Sequence, residues 1–168
     1  NYQTPERSIP EKQLDHPWES CITLSHSWGW VPDVKFKSPN EVLALLAEIT
    51  AKGGCLLLGV GPTPQGLIQP EVETCLRQVG KWLKKNGQAI YNTRITPDYN
   101  DGNTWFTADK DGKTLYAVYT VKDGEEMPAA IEWEGNIPTG TMKLLNKNVS
   151  VRYQCDGNKV KVTLPKGL

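Results

Sequence analysis

Histidine and phenylalanine are scarce in this 168-residue chain, two of each, and neither charge sign prevails, with 19 Lys+Arg against 19 Asp+Glu. Each shortage excludes something. The two histidines and the four cysteines (Cys21, Cys55, Cys75, Cys155) form no Cys-x-x-Cys pair and no zinc-ligand spacing, so no metal and no cofactor are expected. The cysteines read as buried thiols. Balanced charge argues against nucleic acid or a polybasic membrane anchor as partner, because phosphate binding needs clustered Lys and Arg. No apolar run approaches ~20 residues, so nothing is expected to span a bilayer. The polar opening, Asn1 to Arg7, carries no apolar signal segment.

What is present is tryptophan, six residues beside six tyrosines, in a chain that is 38% hydrophobic. That apolar share suffices for a core. Aromatics with a polar handle suit half-wet surfaces such as sugar sites, and equally ordinary packing.

The chain divides by period. In the first half, Cys21-Ile22-Thr23-Leu24 is β-prone and leads into Ser25-His26-Ser27-Trp28-Gly29-Trp30, which has no helical period. Ser38-Pro39-Asn40-Glu41 predicts a helix start, with Ser38 as cap, Pro39 at the first position and Glu41 closing a capping box. Val42, Leu45, Leu46 and Ile49 then share a face, and Gly53-Gly54 ends the helix. Cys55-Leu56-Leu57-Leu58-Gly59-Val60 is apolar throughout and predicts a strand buried on both faces of a parallel sheet. A second helix runs from about Pro70 to Asn86, with Val72, Leu76, Val79 and Leu83 inward. Two such strands lack neighbours within the chain. Either they join a sheet built by residues outside it, the expected case, or they pack on the second half.

From about Pro97 the period becomes two. Runs 104–108 and 114–119 flank an Asp-Gly turn, 131–133 is a short strand, and 149–153 and 159–164 flank a second turn. This predicts a compact antiparallel sandwich. The expected domains are 1–95, α/β, and 96–168, all-β.

Chemistry in parallel α/β folds gathers at the carboxyl ends of strands. The loop 25–30 supplies His26, two Ser and two Trp, whereas Gly61-Pro62-Thr63 only shapes a rim. No phosphate loop follows Gly59-x-Gly61, and no Gly-x-Ser-x-Gly elbow exists. His26 is a candidate general base or a structural histidine. Carboxylates remain: Glu6, Glu11, Asp15 and Glu19 precede the first strand. Thr4-Pro5-Glu6 reads as an irregular loop, and Trp18 could desolvate Glu19, which raises a carboxyl pKa toward that of a general acid.

Four segments in order carry a resemblance: Pro17-Trp18-Glu19-Ser20-Cys21, Ser27-Trp28-Gly29-Trp30, the run 52–68 with Gly54-Cys55-Leu56-Leu57-Leu58-Gly59-Val60-Gly61-Pro62, and 80–91 from Gly80-Lys81-Trp82 to Ile90-Tyr91. They resemble the α-L-fucosidases of glycoside hydrolase family 29 across residues 1–93, with Cys55 and Gly59 standing where that family tends to have Asn. The resemblance implies the last two βα units of a (β/α)8 barrel followed by a C-terminal β-sandwich, the nucleophilic Asp lying in an upstream segment outside this chain. It implies Glu6 as general acid/base, Trp28 lining the fucose pocket, and Glu19 as a structural, loop-anchoring carboxylate, with His26 left as a structural candidate by the residues alone. It further implies a fucosylated glycan as substrate, and an exported setting, whether periplasmic, extracellular or lysosomal. The competing readings are a non-catalytic carbohydrate-binding sandwich using Trp105, Trp133 and Tyr119, and a self-contained small α/β protein.

Overall fold

The computed structural model describes residues 2–165. Its first half is built on a short parallel sheet. Strand β1 (Glu19–Thr23) pairs in parallel with β2 (Cys55–Gly59), Cys21 opposite Leu57. Along the other edge of β1 lies the segment 3–7, also parallel, with Gln3 opposite Trp18 and Glu6 opposite Cys21. Its rungs are the Glu19 N–H to Gln3 O at 2.9 Å, the Cys21 N–H to Pro5 O at 3.0 Å and the Arg7 N–H to Cys21 O at 2.8 Å. The sequence suggested an irregular loop here because Pro5 cannot donate. A ladder at an edge needs only the carbonyl of Pro5, which accepts normally.

Helix α1 (Pro39–Ala51) starts as its sequence predicts. Ser38 Oγ accepts from the Glu41 N–H at 3.1 Å, and the Glu41 carboxylate accepts from the Ser38 N–H at 2.8 Å. It ends at Lys52, with Gly53 at φ +84°. Helix α2 (Pro70–Asn86) buries Val72, Cys75 and Val79. Cys75 takes the inward place predicted for Leu76, which is 38% exposed.

Both helices lie on one face of the sheet. Leu24 packs with Val42, Val72, Cys75 and Val79, and Trp18 and Ile22 pack with Ile49. Leu56 and Leu58 join these clusters. Alternation therefore sends Glu6, Cys21, Cys55 and Leu57 to the opposite face. That face is open: Leu57 is 49% exposed, and Cys55 is exposed too. Among the described residues, helices cover the strand pair on one face only, so the neighbours that burial on both faces requires are not among them. Among the described residues no strand pairs with the outer edge of β2. The four cysteines are not all buried either. Only Cys75 is, since Cys55 sits on the open face and Cys155 on an edge strand of the second half.

Gly54 joins α1 to β2 under the Trp18 indole, whose ring atoms lie 2.4 Å from where a Cβ would stand. Trp18 is 1% exposed and has no room to retreat. Gly54→Ala is expected to cost about 1–3 kcal/mol through overpacking, read as a Tm lower by roughly 2–4 °C per kcal/mol. An unchanged Tm would show that the indole moves freely.

The second half contains two three-stranded antiparallel sheets and a short ribbon. One sheet is β3 (Asn100–Asp101), β4 (Thr104–Ala108) and β5 (Leu115–Tyr119), in that order. The other joins β6 (Ala130–Glu134), β9 (Arg152–Asp156) and β10 (Lys159–Thr163), with β10 central. They share one core: Phe106 from β4, Ile131 and Trp133 from β6, and Val160 and Val162 from β10. The run 149–153, read as one strand, is two. Strand β8 (Val149–Ser150) pairs with β7 (Lys143–Leu144), and β9 pairs with β10. The break falls at Val151, whose N–H donates to Met142 O at 3.0 Å.

The change of period near Thr93–Pro97 is not a free linker. Gln13 Nε2 donates to Ala51 O and Thr96 O, 2.9 Å each, and Thr107 Oγ1 donates to Ala89 O at 2.8 Å. Lys52, 6% exposed, donates to Pro10 O at 2.8 Å, pairs with Glu48 at 2.6 Å, and lies 5.7 Å from the Trp105 ring centroid. A buried ammonium is tolerable only with such partners.

Candidate active site

Three parallel segments deliver their carboxyl ends to one side. Segment 3–7 ends at Arg7, which turns at φ +53°. Strand β1 ends at Thr23 and β2 at Gly59, linked beyond their ends by the Leu24 N–H to Gly59 O at 2.8 Å.

The loop after β1 is fixed at its base and open at its tip. Thr23 Oγ1 donates to Ser25 O at 2.6 Å, Ser25 Oγ donates to Ser27 O at 3.0 Å, and Lys37 Nζ donates to Thr23 O at 2.8 Å. Thr23 and Ser25 are buried, whereas His26 is exposed, Trp28 is 46% exposed and Trp30 39%. The loop after β2 meets this one at Gly61. A Cβ there would stand 2.6 Å from Gly29 C and 2.7 Å from Trp30 N. Only glycine lets the two backbones touch. The Gln69 carboxamide, oriented to satisfy both neighbours, donates to Gly61 O and accepts from Trp30 Nε1, 3.2 Å each. Sequence reading took 61–63 as a plain rim and passed over Gln69. The one available signal was the Gly-x-Gly spacing after a strand.

Glu6 is exposed and is the last residue of its segment bridged to β1. It begins a row, Glu6–Cys21–Leu57, across the open face. Glu19 stands at the amino end of β1, away from the loop 25–30 and beside the Tyr2 phenol. Desolvation and then the Glu19 charge raise the pKa of that phenol. Among the described residues no three His, Cys, Asp or Glu side chains are grouped to hold a metal ion, and no helix is long and apolar enough to cross a membrane.

Gly61→Ala is expected to push the Gly29–Trp30 backbone off the β2 end at about 1–3 kcal/mol. The readout is a shift in tryptophan emission with far-UV circular dichroism unchanged. A silent emission spectrum would mean that the loops do not rest on each other.

The sequence model of the family described as alpha-L-fucosidase matches residues 1–88. The chain belongs to the α-L-fucosidase family. Plasma alpha-L-fucosidase of Rattus norvegicus is 37% identical over 125 residues, which cover 70% of this chain and 27% of that protein. Alpha-L-fucosidase isoenzyme 1 from Paenibacillus thiaminolyticus superposes with a TM-score of 0.84 at 27% identity, over 99% of this chain and 42% of that one. A Thermotoga maritima alpha-L-fucosynthase, determined in complex with alpha-L-Fuc-(1-2)-beta-L-Fuc-N3, superposes with a TM-score of 0.79 at 25% identity, over 98% of this chain and 38% of that one. The chain thus spans about a quarter of the rat fucosidase and matches the C-terminal part of the enzyme.

Proposed function

We propose that this chain supplies the last two βα units of the (β/α)8 barrel and the C-terminal β-sandwich of a retaining α-L-fucosidase. The enzyme releases terminal α-L-fucose from fucosylated glycans in an exported setting. The observation that carries this reading is the one-sided parallel sheet. Helices cover one face, while Glu6, Cys21 and Leu57 line up on a face left open. A barrel strand has this environment, helices outside and layered side chains inside, and its chemistry sits at the carboxyl end. The open edge of β2 and the open face are then filled by upstream strands of the same enzyme.

Within that assembly Glu6 protonates the glycosidic oxygen while an upstream Asp attacks the anomeric carbon. Glu6 then takes a proton from the water that hydrolyses the fucosyl-enzyme. The two carboxyl groups stand ~5–5.5 Å apart in a retaining enzyme. Trp28, half exposed at the same strand ends, packs its ring on the C–H face and C6 methyl of fucose. Glu19, at the far end of β1 beside Tyr2, is structural. His26, exposed on the same loop, takes no part in proton transfer in this reading. No metal or cofactor is required by this chemistry.

The test is complementation. This chain alone should not hydrolyse a nitrophenyl α-L-fucoside, whereas the full-length enzyme should release fucose from it and from fucosylated oligosaccharides. Turnover by the isolated chain would overturn the reading.

A further inference from the structure

The loop after β1 presents two exposed tryptophans, and the function proposed above uses only Trp28. Trp30 is different in its surroundings. Its backbone rests on Gly61, its Nε1 is held by Gln69, and Gln69 is itself tied to Gly61 O. Ring position and ring plane are therefore fixed from two sides, while 39% of the residue stays in solvent. Anchoring the polar edge of an indole removes its one hydrogen-bonding demand and leaves an apolar face. Such a face loses little conformational entropy when it receives a ligand. The residues immediately before Gln69 are exposed and apolar as well, Leu67 at 65% and Ile68 at 44%. Their turn is braced by the Thr63 N–H to Leu67 O at 2.8 Å and the Leu67 N–H to Thr63 Oγ1 at 3.2 Å. An apolar patch held this firmly beside strand ends that carry chemistry has the character of a binding subsite rather than of mobile surface.

We infer that Trp30, anchored by Gln69, is the stacking platform of a leaving-group subsite, which takes the pyranose ring of the sugar to which fucose is joined. The inference rests on the fucosidase reading above. The choice of occupant follows from the reaction. A retaining glycosidase must hold the leaving sugar on the side of its acid, and Glu6 is the last bridged residue of the segment beside β1, the strand whose carboxyl end opens into this loop. The C–H face of a pyranose matches a flat, half-dry indole whose N–H is already satisfied. A two-sugar ligand is accommodated by the Thermotoga maritima protein of this fold. Trp28 and Trp30 thus divide the work: one ring for fucose, one for its neighbour, set two residues apart on a single braced loop.

The test compares two substrates in the full-length enzyme. Fucosyl fluoride has a leaving group without a ring, whereas a fucosylated disaccharide has a pyranose. Trp30→Ala should lower the ratio of kcat/KM on disaccharide to kcat/KM on fluoride by roughly three- to tenfold, the worth of one aromatic contact. Trp30→Phe should restore most of that ratio. Gln69→Ala, which frees the ring without removing it, should give a smaller drop, carried mainly by KM. A ratio unchanged in Trp30→Ala while the parent enzyme is active, or an equal loss on both substrates in all three variants, would overturn the subsite and leave the fucosidase reading intact. A parent enzyme that hydrolyses neither substrate would overturn both.

Discussion

Glu6→Gln in the full-length enzyme should lower kcat/KM on fucosylated oligosaccharides by about 10²–10⁴-fold, the range expected for loss of a general acid/base. The substitution keeps size and the backbone bridge to Cys21, because the segment 3–7 is held through main-chain groups of Gln3, Pro5 and Arg7. What it removes is the transferable proton. A sugar alkoxide is a poor leaving group without protonation, so the first step slows most on natural glycosides. A nitrophenolate or fluoride leaves unaided, so fucosyl-enzyme still forms from activated substrates, and its hydrolysis then lags because no base activates water. Azide needs no deprotonation. It should accelerate turnover of the nitrophenyl fucoside by the variant and yield fucosyl azide with the anomeric configuration of the substrate. Normal turnover of oligosaccharides would exclude Glu6 from the role. An equal loss on activated and natural substrates without azide rescue would assign it to binding or folding instead.

Where a local signal existed, the sequence was a good guide. Ser38, Pro39 and Glu41 are neighbours in sequence and in space, so the start of α1 was legible to the residue. The bounds of α2 and the 104–119 hairpin follow from equally local patterns. The failures share a cause, which is dependence on partners remote in the chain. Segment 3–7 becomes a strand-like edge only because β1 stands beside it, and Pro5 disguised it. The strands β3, β7 and β8 have two residues each, too few for any period to show. Val151 extends the β7–β8 ladder by donating to the Met142 carbonyl, and from Arg152 the chain pairs with β10 instead, a change of partner that no local pattern encodes. At the site, Trp28 and Glu6 were named through family resemblance. The contact of Gly61 with Gly29 and the Gln69 bridge depend on two loops meeting, which no spacing encodes.

Trp133→Ala should destabilise the protein by about 3–5 kcal/mol, the usual cost of deleting a buried large aromatic. Tm should fall by roughly 2–4 °C for each kcal/mol. Trp133 is 3% exposed and meets Phe106 edge to face, centroids 5.6 Å apart at 67° between planes. These rings tie the β3–β4–β5 sheet to the β6–β10–β9 sheet, with Val160 and Val162 filling the space beside them. Truncation therefore leaves a cavity bordered by both sheets, which neither can close alone. The same variant separates two roles for this half of the chain. An aromatic platform for glycans would need Trp133 at the surface with Trp105 and Tyr119. Trp105 instead lies under the Lys52 ammonium, and Tyr119 packs on the Trp133 core. Calorimetry of the unmodified protein with fucosylated glycans should accordingly show no binding that requires Trp133. A variant that keeps its Tm and loses glycan affinity would reverse the assignment and make the second half a binding module. The expected outcome, a large loss of stability with ligand recognition governed by the first half, makes the two sheets a buttress for the half of the chain that carries Glu6 and Trp28.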